Sequence, residues 1–445
     1  MVESKTFANF IVEPLGSNIH SPTSFMVRKS FQDLETTTTY TSVDTMFSDI
    51  MLEATRPTTH GSSNMKGALV YLKNGTYVPT IGTIIISDTT DDDNVMCHIV
   101  GQTRDQTIIK CGFTTGMETQ IIHPYCSLDV ENLTINGDSK GTFIAGIYPE
   151  AAGTATKILR VNNCRFQNMT SFDIITPHNQ YAVEISNCIF EKHQNDVSKD
   201  QVAFECTHHA HIHDNIFDHT VGSVVGSSLT SGSAFNADIH DNIILRADGN
   251  PNFGISMEPY DVNDNYENIF IHDNFIQGGR INIGKEGVWT RTFRNVYVTG
   301  NTLYKGGIYV EGPTTGYTDI IKDVAVENNQ LFDSWEAGIH INKVGGFCAV
   351  RNNTIKNSNK SLATFTGQEP LIYLQSSIDV VCENNLLYMG VVSPDVADFS
   401  PQGIRYVDLV DPTIRNNRIL NRTVANNSYE SIGTHTGSVL ISRSS

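Results

Sequence analysis

The chain has 445 residues, with 48 acidic against 30 basic side chains, a formal net charge of −18 and only 18% charged residues. That balance argues against nucleic acid as a partner, which needs clustered Lys and Arg, and no apolar run approaches the length that spans a bilayer. Met1 to Pro14 has no basic stretch followed by an apolar core, so no secretory signal is expected.

Residues 1–40 carry no repeat and mix Pro, Ser and Thr, ending in the run Thr36–Thr39 before Tyr40. They read as an irregular segment suited to attachment. From Ser42 to Ala54 the apolar residues Val43, Met46, Phe47, Ile50 and Met51 fall at helical spacing behind a serine N-cap. Residues 41–63 are therefore expected to be a helix and linker, placed to cap the region that begins at residue 64. Asp91, Asp92 and Asp93 read as solvated loop charge.

From residue 64 to about 430 the chain repeats. Ile-His-Asp-Asn occurs at 212–215, 239–242 and 271–274. It belongs to a longer ladder of turn asparagines: Asn132, Asn163, Asn187, Asn215, Asn242, Asn274, Asn301, Asn329, Asn353, Asn385 and Asn417. Successive gaps run from 24 to 32 residues, a period that tolerates insertion and so marks a solenoid. Before each asparagine apolar residues alternate, as Val183 and Ile185, or Val324 and Val326, which is strand periodicity. A second strand follows in most units, at Phe204, Ile255/Met257, Ile281/Ile283, Ile308/Val310, Ile339/Ile341 and Ile372/Leu374. The expected fold is all-β: a right-handed single-stranded parallel β-helix of roughly ten to twelve coils with an N-terminal capping helix. The turn asparagine suits left-handed backbone angles and forms a polar ladder when stacked on itself. Residues 431–445 include Ser438 to Ser442, which reads as a final strand or an oligomer contact.

Eight cysteines show no CxxC pairing and read as reduced thiols used as small apolar residues. Cys164 and Cys188, each after a turn asparagine, leave one disulfide open.

A family resemblance enters at residues 67–111. Gly67 to Tyr77, then Ile99-Val100-Gly101-Gln102, then Thr107-Ile108-Ile109 resemble the opening coils of pectate-lyase-like β-helix proteins, in which a cap helix also precedes the first coil. Gly254-Ile255-Ser256-Met257-Glu258-Pro259 is similar to an element of viral tail-protein and carbohydrate-active β-helices. The resemblance spans most of the chain. It implies the fold and a polysaccharide ligand, but no single reaction, because the scaffold hosts lyases, hydrolases, epimerases and non-catalytic spikes.

Stacking the coils turns sequence into a map. Outward residues after the second strands are Glu205, Glu258, Gly284, Glu311, Asn342 and Gln375. Glu205, Glu258 and Glu311 are the candidate catalytic carboxylates. Two coils separate each pair, roughly 9–10 Å between Cα atoms, which side chains can close to the range of an inverting glycosidase. Arg280, Lys285, Tyr309, His340 and Tyr373 are candidate substrate-binding neighbours, and Gly284 would leave room for a ligand. A lyase would use Arg280 or Lys285 to neutralise a uronate. Outward Glu and Lys on a sheet face usually serve solvation and edge protection, which explains the same charges without a site.

On the other face His213, His240 and His272 take one outward position in three coils. The column is read as stacking, with no metal or other cofactor required; were a transition metal held, these imidazoles would be its ligands.

Three functions stay open. The first is a viral tail-spike or tail-fibre protein that binds, and in one version cleaves, host-surface glycan. It would be trimeric or part of a larger assembly, on a virion surface or extracellular. The second is a free lyase, hydrolase or epimerase, and the third a structural filament subunit.

Overall fold

A computed structural model describes residues 7–31, 34–55, 67–80, 83–86, 96–113, 119–139, 144–149, 156–176, 181–191, 201–204, 209–220, 224–228, 234–246, 253–258, 265–284, 292–314, 320–334, 336–356, 370–388, 403–420, 429–432 and 440–441. The chain divides into two units, Met1–Val221 and Gly222–Ser445. Each is a parallel β-solenoid, as expected.

A coil is built from three short strands. One strand precedes the turn asparagine, one follows it directly, and one closes the coil. In the second unit Asn265–His272, Phe275–Gln277 and Arg280–Gly284 make one such coil. Each strand pairs in parallel with its counterpart one coil later: Thr292–Thr299, Thr302–Tyr304 and Ile308–Glu311. The unit thus has a first, second and third sheet.

The alternation seen in the sequence is the burial pattern. Ile271, Val298, Val326, Val350, Cys382 and Ile414 form one inward column of the first sheet, all fully buried. In the third sheet Ile281, Ile308, Ile339, Ile372 and Ile404 do the same. Like residues stack because equivalent positions lie one strand spacing apart, about 4.8 Å. In the first unit Phe166, Phe190 and Phe217 stack with ring centroids 5.1 and 4.5 Å apart.

The turn ladder divides two roles that the sequence reading gives to one residue. Asn132, Asn163 and Asn187 in the first unit are themselves left-handed, with φ of 58°, 49° and 56°. At Asn274, Asn301, Asn329, Asn353 and Asn385 the left-handed residue is the one before, and the asparagine is buried. Its Oδ1 then accepts both the backbone N–H and the side-chain N–H of the preceding rung, as between Asn301 and Asn329 at 3.0 Å each. Its Nδ2 donates to a main-chain carbonyl of the coil before, as Asn301 to Ile271 at 2.8 Å.

Where the sequence suggests an irregular segment over 1–40, the chain forms strands. Phe7–Leu15 pairs in parallel with Gly67–Leu72 and antiparallel with Ser24–Phe31, which pairs antiparallel with Leu34–Tyr40. The helix Val43–Thr55 is where the spacing puts it. Ser42 Oγ accepts from Thr45 N–H at 3.3 Å, and Val43, Met46, Phe47, Ile50 and Met51 are buried against the first coil. At the other end Leu440–Ile441 pairs in parallel with Thr413–Ile414, adding a last strand to the first sheet. Cys164 and Cys188 remain buried thiols in adjacent coils, with no disulfide between them. Burial pushes the Cys164 thiol well up, which keeps it unreactive.

Candidate functional site

The third sheet of the second unit carries the site. Ser256, Asn282, Tyr309, His340, Tyr373 and Arg405 form one outward column, each in register with the next. Two residues along, Gly284, Glu311, Asn342 and Gln375 form a second. Glu258 stands one coil before Gly284, because Met257 pairs with Ile283.

Outward residues of a solenoid ordinarily meet water, yet Asn282 is 1% exposed, Tyr309 5% and Asn342 6%. This stretch of the face is therefore sheltered and polar. Tyr309 O–H donates to Glu336 Oε2 at 3.0 Å and to the Ala337 carbonyl at 3.3 Å. The Arg280 guanidinium lies 4.8 Å from the Tyr309 ring centroid, with Nη1 3.6 Å from the same Glu336 oxygen. Ring and carboxylate together fix the cation beside the column.

His340 sits at the centre. Its ring stacks on Tyr373 at 4.8 Å and 6°, and meets Tyr309 edge-on at 5.5 Å. Burial, and then the positive charge of Arg280, push its pKa down to about 4, so the imidazole is neutral at neutral pH. Nδ1 is 3.6 Å from Glu311 Oε1, too long for a hydrogen bond. The guanidinium of Arg405 closes the column, 5.5 Å from the Tyr373 ring.

Glu258 is held from the opposite side. Its Oε1 accepts from Ser256 Oγ at 2.9 Å and from Asn282 Nδ2 at 3.2 Å, and its carbonyl accepts from Tyr266 O–H at 3.2 Å. The Asn282 amide also donates to the Gly284 carbonyl at 2.7 Å. The buried polar atoms of this face that lack a hydrogen-bond partner include Asn282 Oδ1, His340 Nε2 and Asn342 Oδ1. Buried polar atoms are satisfied as a rule, so such a row marks where water or a ligand supplies the missing groups.

Of the residues expected from the sequence, Glu258, Arg280, Tyr309, Glu311, His340 and Tyr373 fall on this one face. Glu205 and Lys285 lie outside the described residues. Gly284 does not leave room for a ligand. Its φ is +74°, and a Cβ built there would stand 2.3 Å from the Glu311 carbonyl oxygen. Glycine is required by the backbone of the next coil. The histidine column lies elsewhere, with His240 and His272 on the first sheet of the second unit and His213 in the first unit.

Sequence reasoning missed Asn282, Glu336 and Arg405. Asn282 and Arg405 were within reach, since they share the register of Tyr309, His340 and Tyr373. Glu336 sits in a turn outside the repeat, and no periodic signal points to it.

No family model matches the chain, and no curated protein matches it. Solved structures do. It is similar to a DFA-IIIase from Arthrobacter chlorophenolicus A6 in complex with DFA-III, at 14% identity over 87% of this chain and 81% of that one, with a TM-score of 0.38. It is similar to the A-module of a mannuronan C-5 epimerase from Azotobacter vinelandii, at 14% identity, 91% and 95% coverage and a TM-score of 0.33. A family 28 exopolygalacturonase from Yersinia enterocolitica gives 12% identity, 93% and 83% coverage and a TM-score of 0.37. Scores and identities this low assign neither activity nor substrate to this chain.

Proposed function

We propose that this protein binds polysaccharide along the third-sheet face of its second unit, as a β-helix of the viral tail-spike or tail-fibre type that recognises host-surface glycan. One observation carries the binding reading: the row of unpartnered buried atoms, Asn282 Oδ1, His340 Nε2 and Asn342 Oδ1, lies between aromatic rings and carboxylates. Sugar hydroxyls supply the hydrogen bonds such atoms lack. The spike setting rests on the resemblance of the phrase around Glu258 to spike-type coils, and it implies a homotrimer.

A second reading, cleavage, is favoured by Glu258 and Glu311 standing two coils apart in one column, one coil either side of Gly284, roughly 9–10 Å between Cα atoms. That separation suits an inverting hydrolase, with room for a water beside the sugar. A free enzyme would use the same residues. A lyase would need Arg280 to leave Glu336 for a substrate carboxylate.

Glu258→Gln separates these readings, because it keeps shape and removes charge. A binding role weakens glycan retention only a few-fold, since one exposed hydrogen bond is worth about 1 kcal/mol. An acid–base role lowers turnover on the order of a hundredfold or more. The variant is run on acidic and neutral polysaccharides, with reducing ends and unsaturated products both followed. Unchanged binding together with unchanged cleavage takes the site off this face. SDS-resistant trimers support the spike setting, and a monomer with turnover supports the free enzyme.

A further inference from the structure

On the first sheet of the second unit two copies of Ile-His-Asp-Asn stack in register, with His240 beside His272. Their rings are parallel, with 5° between planes and 4.8 Å between centroids. In each copy the following aspartate is left-handed, with φ of 53° at Asp241 and 54° at Asp273. Each carboxylate meets its own histidine's Nδ1, at 2.8 Å for His240–Asp241 and 2.9 Å for His272–Asp273. A carboxylate only accepts, so Nδ1 carries the proton, and in the neutral ring the lone pair is on Nε2. That is how metal-binding histidines are commonly held, with an outer carboxylate fixing the tautomer.

Asp238 lies two residues before His240, on the same outward face. Its Oδ1 is 3.1 Å from His272 Nε2. A lone pair on nitrogen and a carboxylate oxygen at that distance repel each other unless a proton or a cation lies between them. Asp238, His240 and His272 each offer one ligand atom, all within 4.8 Å of one another. Their side chains are 35%, 18% and 32% exposed, so solvent ions can reach them. Thr299, next in the column, adds no charge.

We propose that Asp238, His240 and His272 bind a divalent transition metal of the zinc class, with Asp241 and Asp273 as outer carboxylates. Two imidazoles and one carboxylate favour zinc, nickel or cobalt over the hard cations, which prefer oxygen alone. Metal–nitrogen bonds of about 2.0–2.1 Å require the two rings to tilt together, which their part-exposed faces permit. The remaining coordination positions go to water. A bound ion would clip two neighbouring coils at their turns. The site is separate from the third-sheet face and does not depend on it.

The full chain is stripped with chelator and dialysed. Zinc is then titrated by calorimetry and counted by mass spectrometry after gel filtration. Wild type should hold one more zinc per chain than His272→Gln or Asp238→Asn, and cobalt should give visible d–d bands absent from both. Asp273→Asn, which keeps all three ligands, should weaken binding roughly ten- to a hundredfold. Circular dichroism checks that each variant folds. Equal zinc in wild type and both ligand variants would overturn the proposal. So would no retained zinc with His272 Nε2 protonated in nitrogen-15 spectra, which would assign the gap to a proton.

Discussion

Replacing Asn301 with leucine should open the turn ladder at a defined place. The side chain is fully buried, and its Oδ1 accepts from Asn274 N–H at 3.1 Å and from Asn274 Nδ2 at 3.0 Å. Its Nδ2 donates to the carbonyls of Ile271 and Thr299 and to Asn329 Oδ1. Leucine fills a similar volume but makes none of these bonds. Asn274 Nδ2 keeps its carbonyl partners, Ile239 and His272, whereas the Asn274 backbone N–H is orphaned. An orphaned buried donor costs about 1–3 kcal/mol, and the lost bond to Ile271 about 1 kcal/mol more, for a net of about 2–4 kcal/mol. Because coil energetics are nearest-neighbour, the loss should appear locally before it appears globally. Hydrogen exchange is therefore the assay. At about 1.4 kcal/mol per tenfold, the Asn274 amide should exchange roughly thirty- to several-hundredfold faster, while amides of the Glu383–Arg415 region stay as in wild type. Unchanged exchange at Asn274 with an unchanged urea midpoint would refute the accounting.

Two further outcomes concern the third-sheet face. The folded-state pKa of His340 is pushed down to about 4, below the ordinary 6.5. The unfolded chain therefore binds the extra proton between those values, and stability declines as pH falls from about 6.5 towards 4, by at most about 3 kcal/mol, then levels off. His340→Gln should flatten that decline in urea midpoints taken at pH 7 and 4.5; identical slopes in the two proteins would argue against it. Gly284→Ala places a methyl 2.3 Å from the Glu311 carbonyl oxygen at a left-handed position, so it should cost about 1–3 kcal/mol and displace Glu311. The melting temperature should fall and glycan retention weaken together, and an unchanged melting temperature would count against the close approach.

What could be read without a structure is what repeats or is local. Alternation at period two fixes which face of a strand is buried, so inward columns such as Ile281, Ile308 and Ile339 were legible. So was the helix behind Ser42, because its cap and its apolar spacing lie within one short segment. Locality fails first at the turns. Asparagine and aspartate both tolerate a left-handed φ, and two adjacent ones do not reveal which turns and which points inward. That choice depends on the neighbouring coil: Leu133, Cys164 and Cys188 fill the inward slot with apolar groups, whereas Asn301 fills it only because Asn274 and Asn329 complete its hydrogen bonds. Strand Phe7–Leu15 was hidden in part for a related reason: of its two partners Ser24–Phe31 is near in sequence, but Gly67–Leu72, which ties it to the first coil, lies beyond the helix. The third-sheet face needed tertiary structure most. Sequence put Glu258 and Glu311 two coils apart and Tyr309, His340 and Tyr373 in a row. Only packing could reveal that Glu336 comes from a turn to hold Arg280 and Tyr309, that the outward Asn282 and Asn342 are buried, and that Gly284 serves the backbone rather than a ligand. Periodicity specifies a residue's column and face, whereas its burial and partners are set by chain segments that obey no period.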